Sequence, residues 1–300
     1  MPQAQGSKRQ LAYIVETTYG VTPATPQTKL LDFVNFTGDL NAPEVESQTI
    51  RPNRQSTGSR RGNTSTAGDL TLELTPDNAD ELLEAALQGT WAANVLKVGS
   101  TQRSFSIEEG FTDMPQFRVF TGSVFNTLSM ELNTEGYVNA TLGFMGKTTT
   151  PFSGTSICGT PTAPSAKEAF YHEGGVFKEG GSTVGFLSAL SFELSNNVTA
   201  NNALGVTGVR AMTSGKAVVT GTVTALFEDV SFYNKFVNNA SSSLEFTITS
   251  GAESLTFKFS KLKYTQADIQ SDGDAGVTVQ MTFRAEYDAA DDTTMMITRV

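Results

Sequence analysis

Apolar residues recur at every second position over much of the chain. From Leu128 to Lys147, Leu128, Met130 and Leu132 face one way and Ser129, Glu131 and Asn133 the other. Thr134-Glu135-Gly136 then turns the chain, and a second extended run carries Tyr137 to Phe144. This predicts a long hairpin with one face on a core. Its other face is polar but weakly charged, and so needs something to look at. Leu70, Leu72 and Leu74 alternate in the same way, as do Leu190, Phe192 and Leu194, and Val219, Gly221 and Val223. The spacing turns helical in two places. Thr75 and Pro76 read as a helix start, followed by acids and by Ala79, Leu82, Leu83, Ala86 and Leu87, with a stop at Gly89. Shifted by 150 positions, Phe232, Tyr233, Phe236 and Val237 overlie Leu82, Leu83, Ala86 and Leu87.

After each helical segment the order of strands repeats. "RSFSIEEGF", "FNTLSMELN" and "YVNATLGFMG" answer to "SLEFTITSG", "LTFKFSKLKYT" and "VTVQMTFRAEYD". Before each helix, a strand ("LLDFVNFTGDL" or "GFLSALSFELS") leads to a polar excursion, Asn41 to Gly68 and Asn196 to Gly215. Between the halves, "TTTPFSGTSICGTPTAP" has no periodicity and reads as a connection. The expected organisation is a duplicated β module: residues 1–150, a linker at 151–164, and residues 165–300.

Composition removes several function classes. A single cysteine, Cys158, excludes an internal disulfide and a cysteine-cluster metal site, and a single histidine, His172, excludes a multi-histidine site. No apolar run is long enough to span a membrane, and no apolar segment follows Lys8 and Arg9 as a secretory signal would require. The net charge of −10 makes the chain a poor duplex binder, because such affinity comes from cations that replace counterions on phosphate.

Catalytic patterns fail on inspection. Gly180-Gly181-Ser182-Thr183 is followed by Val184 where a nucleophile elbow needs glycine, and no P-loop or dinucleotide glycine pattern occurs. "DIQSDGD" from Asp268 imitates a calcium loop, but Gln270 and Val279 stand at ligand positions, so Asp272-Gly273 reads as a turn between strands. His172 lies between an aromatic pair and an expected glycine turn; with Glu173 beside it, it lacks an identifiable third partner for acid/base work and reads as structural. Scattered acids could in principle form a glycosidase pair, but nothing picks one pair out, and most of them read as solvated. No cofactor and no metal are expected, nor is catalysis. One polar excursion does stand out. Arg51, Arg54, Arg60 and Arg61 give an acidic body a basic arm, which reads either as a disordered, solvated loop or as suited to docking on carboxylates of another copy. Head-to-tail contact between unlike patches stacks identical subunits into open filaments.

"AYIVETTYGVTPATPQTKLLDFVNFTGDL", from Ala12 to Leu40, with its Glu16-Thr17-Thr18-Tyr19-Gly20 turn, resembles the opening of tail tube proteins of long, non-contractile-tailed bacteriophages. "TLSMELNTEGYVNATLGFMGKT" is similar to that family's terminal hairpin. The resemblance implies a mainly β fold: two tandem β-sandwich or split-barrel modules, each with one flanking α-helix and a long inter-strand loop. It implies a structural virion protein, assembled in the host cytoplasm, whose rings stack into the tail tube. Other tail proteins would sit at the tube ends, and viral DNA would pass through without specific binding. Two modules per chain imply three chains per ring with pseudo-six-fold symmetry; six chains with the second module outside is the alternative. Under this reading Arg51, Arg54, Arg60 and Arg61 belong to the ring-stacking loop, and Glu131 and Glu193 are candidates for the lumen. A tail-tip or decoration protein is a second reading. A carbohydrate-binding β-sandwich is a third, and Trp91, the sole tryptophan, argues against it.

Overall fold

The computed structural model describes residues 3–228, 230–271 and 276–300, so the expected Asp272-Gly273 turn lies outside the described residues. Its principal strands are β1 (Arg9–Val15), β2 (Ser65–Glu73), β3 (Phe105–Phe111), β4 (Gln116–Asn133), β5 (Asn139–Gly146), β6 (Tyr171–Glu179), β7 (Leu187–Ser195), β8 (Val218–Leu226), β9 (Ser242–Ser250), β10 (Glu253–Gln270) and β11 (Thr278–Ala285). Among the described residues the α-helices are the short α1 (Asp80–Leu87) and α2 (Ser231–Val237), and the protein is mainly β.

Each half has an outer and an inner layer. In the first half β1, β3 and the beginning of β4 form the outer sheet, and β6, β9 and the beginning of β10 do so in the second. Halfway along, β4 and β10 leave the outer sheet and enter an inner one. Both are 18 residues long, and both break register at matching places. The first break falls between Phe120 and Ser123 in β4, where Phe259 and Leu262 flank the corresponding one in β10. The second lies between Phe125 and Thr127, answered by Tyr264 and Gln266. Such bulges bend a strand and raise its twist, which is what a strand shared by two sheets requires.

The inner sheet runs without interruption through both halves. Its order is the short strands Asn35–Phe36 and Asp39–Asn41, then β2, β5, the end of β4, β7, β8, β11 and the end of β10. The joint between the halves pairs Thr127 with Ser195, and so on through Asn133 with Ala189. No sequence of pairings among the described residues returns to its starting strand, so the sheet is open at both ends. Leu70, Leu128, Met130, Leu142, Leu190, Phe192, Val219 and Phe283 face inward, into one core cluster that spans both halves. Phe36 packs edge-on to Phe120 across the layers, and Phe192 does the same to Phe259.

Gly221 and Gly68 occupy matching places, opposite Phe283 and Phe144. A Cβ on Gly221 would lie 2.5 Å from the Ser191 carbonyl oxygen and from the Phe283 ring; on Gly68 it would lie 2.6 Å from Gly38 Cα. Gly221→Ala is therefore expected to cost about 1–3 kcal/mol through overpacking against fixed backbone. A urea-denaturation midpoint unchanged from that of the parent would refute this.

Three details depart from the sequence reading. Pro76 opens a turn rather than a helix: Asp77 has φ +70°, which interrupts helical continuity, and α1 starts at Asp80. In α2 only Phe232 is buried, while Val237 faces solvent. The glycines after His172 lie in β6 beside a register break rather than in a turn.

Candidate functional site

The outer surface of the inner sheet is the polar face that the alternation left unexplained. One row across the strands reads Thr71, Thr141, Ser129, Glu193, Thr220 and Arg284; the next reads Glu73, Asn139, Glu131, Ser191, Thr222 and Thr282. Neighbouring hydroxyls satisfy one another, as Thr71 Oγ1 and Thr141 Oγ1 do at 3.0 Å. The face forms a shallow trough, and Glu131 and Glu193 line it from adjacent strands. Both are exposed, and neither makes an ion pair among the described residues. Hydroxyls and amides outnumber charges here, and acids outnumber cations.

The sheet ends in two edges. One is Asn35–Phe36 with Asp39–Asn41, and the other is the end of β10. Shared registers show that these edges match the two strands of the internal joint. Leu40 stands opposite Thr66 as Leu194 stands opposite Val219, and Ala267 stands opposite Met281 as Leu128 stands opposite Leu142. At the joint Leu128 and Met130 are buried; at the free edge the residue matching Met130, Ile269, is 46% exposed.

Both polar excursions fold as arms. Glu44–Glu46 pairs with Ser59–Arg61, and Thr199–Asn201 pairs with Ala211–Thr213. Both arms leave the inner sheet at the same end, and Gly208 N–H, in the loop that joins the second arm's strands, donates to Asn63 Oδ1 at the base of the first arm. Arg51 and Arg54 sit near the tip of the first arm, and Arg60 and Arg61 on its returning strand. All four are exposed, and none makes an ion pair among the described residues. The structure thus gathers the arginines on one arm, at a distance from Glu131 and Glu193.

The sequence profile of the family described as phage tail tube protein matches residues 6–285. The chain belongs to the phage tail tube protein family. No curated protein matches it. As a tail tube protein it is a structural component of the virion tail, one that assembles with copies of itself and works beside other tail proteins.

Four acids of this tail tube protein are exceptions to the reading of most carboxylates as solvated. Glu16, Glu108, Glu109 and Glu179 are buried. Glu16 accepts hydrogen bonds from the Ser104 and Ser106 hydroxyls and from the Gly20 and Gly122 N–H groups, at 2.7 to 2.8 Å. The turn from Glu16 to Gly20 is therefore a carboxylate clamp. It grips Gly122, whose φ of +68° lets β4 bend between the sheets. Glu109 bridges Arg9 and Arg118, each at 2.6 Å. Glu108 accepts from the Ser156 hydroxyl and the Ile157 N–H, which holds the connection at 151–164 against the outer sheet. Glu179 pairs with Lys235 and accepts from Ser242 and Tyr264. Burial, and then the charge of Glu179, push the Tyr264 phenol well above its ordinary value. None of these acids lines the trough.

His172 packs against Tyr171 with the rings tilted by 52° and their centroids 4.2 Å apart. Among the described residues no group of three His, Cys, Asp or Glu could hold a metal ion, and no helix is long and apolar enough to cross a membrane.

Proposed function

We propose that three chains close into a ring by pairing the β10 edge of one with the Asn35–Asn41 edge of the next. The rings stack into a tube through which the genome is delivered. The observation that carries this reading is the joint between β4 and β7. It unites a β10-like edge with an Asn35–Asn41-like edge inside the chain, while the same two surfaces remain free at the sheet's ends. Repeating its register places Ala267 opposite Leu40 and Ile269 opposite Gly38. Closure then removes both exposed edges.

The unit repeated around the ring is a module, residues 1–150 or 165–300, with 151–164 connecting them; shared registers and bulges support the duplication. Since both halves supply strands to one inner sheet, three chains give pseudo-six-fold symmetry, and a second module held outside a six-chain ring is disfavoured. The trough becomes the channel wall, with Glu131 and Glu193 on it. Its acids repel phosphate and its few cations offer little for a duplex to bind, so DNA slides past. Assembly takes place in the host cytoplasm, with other tail proteins closing the tube's ends.

Negative-stain electron microscopy of the purified chain at rising concentration, with rotational averaging, tests this. Hollow tubes with three-fold rings are expected. Ile269→Lys, an exposed edge change of the kind that blocks strand addition, is expected to leave folded monomers. Six-fold rings of full-length chains, or three-fold rings from the lysine variant, would refute the closure.

A further inference from the structure

The inner sheet has two chemically unlike ends. Both arms leave from one. At the other, where β4 ends and β7 begins, lies a pocket of about 340 Å³ with a mixed lining, whose apolar side is formed by Leu132, Phe177, Leu187, Leu190 and Ile248. Leu132 comes from the end of β4 in the first half, and the other four apolar residues come from the second half. Register makes Phe177, opposite Phe246, the counterpart of Leu11, opposite Glu109; counting two residues back, to the edge of the register break, Gly175 corresponds by spacing to Arg9. In the first half the Arg9 guanidinium lies over the Phe36 ring, the counterpart of Leu190. Without that side chain the second half keeps an opening.

The first arm carries a group that fits this opening. Ile50, near its tip, is 96% exposed and is followed directly by Arg51, with Arg54 three positions further on. A lone two-stranded hairpin is marginal in water, so an arm of this kind gains from a partner. The rim of the pocket has the opposite charge. Thr134 and His172 line the pocket, and their neighbours Glu135 and Glu173 are exposed and make no ion pair among the described residues. A basic tip and an acidic rim at opposite ends of one molecule make a heterologous contact, which propagates rather than closes.

We propose that Ile50 of one chain enters the pocket of Leu132, Phe177 and Leu190 on a second copy stacked above it, with Arg51 and Arg54 facing Glu135 and Glu173. This contact rests on the tube reading and gives its stacking step an anchor. The aliphatic side chain supplies most of the affinity, because exposed ion pairs are weak and screened by salt.

Two variants of the full-length chain test it. Ile50→Asp changes an exposed residue, so the thermal midpoint and ring symmetry should hold, while the association constant for ring stacking falls about tenfold or more, the weight of one buried aliphatic side chain. In a Cys158→Ser background, Ile50→Cys with Thr134→Cys should form inter-chain disulfides in assembled tubes under mild oxidation. Leu204→Cys, at the tip of the other arm, should not do so with Thr134→Cys. Even the native Cys158 thiol, pushed up to about 11 by burial, would compete poorly. Tubes that form without the Ile50–Thr134 cross-link, or that cross-link through Leu204 instead, overturn this contact and leave the tube reading standing. A parent chain that never stacks overturns both.

Discussion

Glu109→Ala is expected to destabilise the protein by about 3 kcal/mol, because it strands two guanidinium groups inside the first outer sheet. Arg9 and Arg118 converge on this one carboxylate, which is 2% exposed, while they themselves are 23% and 20% exposed. That partial access to water places the loss at the low end for a broken buried pair. The second half shows what an apolar version looks like. The counterparts of Glu109 and Arg118 are Phe246 and Phe257, whose rings stack at 4.8 Å. Exchanging the whole network, with Arg9→Leu, Glu109→Phe and Arg118→Phe together, is therefore expected to recover most of the loss, since well-packed apolar groups can match a buried ionic network. Urea denaturation of the single and triple variants measures both. A single variant within experimental error of the parent would show that water already screens the network.

Glu16→Ala is expected to cost about 4 kcal/mol. Four donors converge on the carboxylate, and removing it leaves buried N–H and hydroxyl groups without their charged acceptor. Glu16→Gln should also lose stability, because an amide presents its own donors to part of this set. The effect should reach beyond stability, since the clamp holds Gly122 where β4 passes from outer to inner sheet. Loosening it shifts the strand that carries Met130 and Glu131 to the joint with β7. Tyr19 reports the change. Burial, and then Glu16, push its phenol up to about 12, so removing the carboxylate should bring it down. An ultraviolet pH titration follows this; an unmoved Tyr19 together with unchanged stability would show that Glu16 carries no such strain.

The inner sheet was legible because its two faces meet different surroundings. Leu128, Met130 and Leu132 alternate with Ser129, Glu131 and Asn133 because one set meets the core and the other meets water, so the shared face of Glu131 and Glu193 could be read from parity alone. Strand β3 defeats the same reasoning. Phe105 to Gly110 is buried on both faces, so Glu108 and Glu109 look like solvated acids until the arginines and the connection that cover them are seen. By its pattern the opening strand is one run from Leu30 to Leu40, yet it forms as Lys29–Leu31, Asn35–Phe36 and Asp39–Asn41. Its first piece pairs in the outer sheet with β1 and the others pair in the inner sheet with β2. The joint between β4 and β7 leaves no local trace either, because pairing between strands of different modules depends on register rather than composition. The pocket by Gly175 is visible only when the two halves are compared residue by residue. The arginine arm could be read directly as a cluster of charge, whereas Ile50 inside it drew no notice as a single apolar residue in a polar stretch.

All strands of the inner sheet run between the arm end and the pocket end, and antiparallel hydrogen bonds lie perpendicular to the strands. A force applied from end to end therefore loads those bonds in shear, where the bonds along a strand must yield together. A force applied across the strands peels them apart one after another. The sheet is thus stiff lengthwise and weak crosswise. If overstretched, it should split along a strand boundary rather than snap, and the boundaries at its two open edges, which no covalent connection spans, should part first.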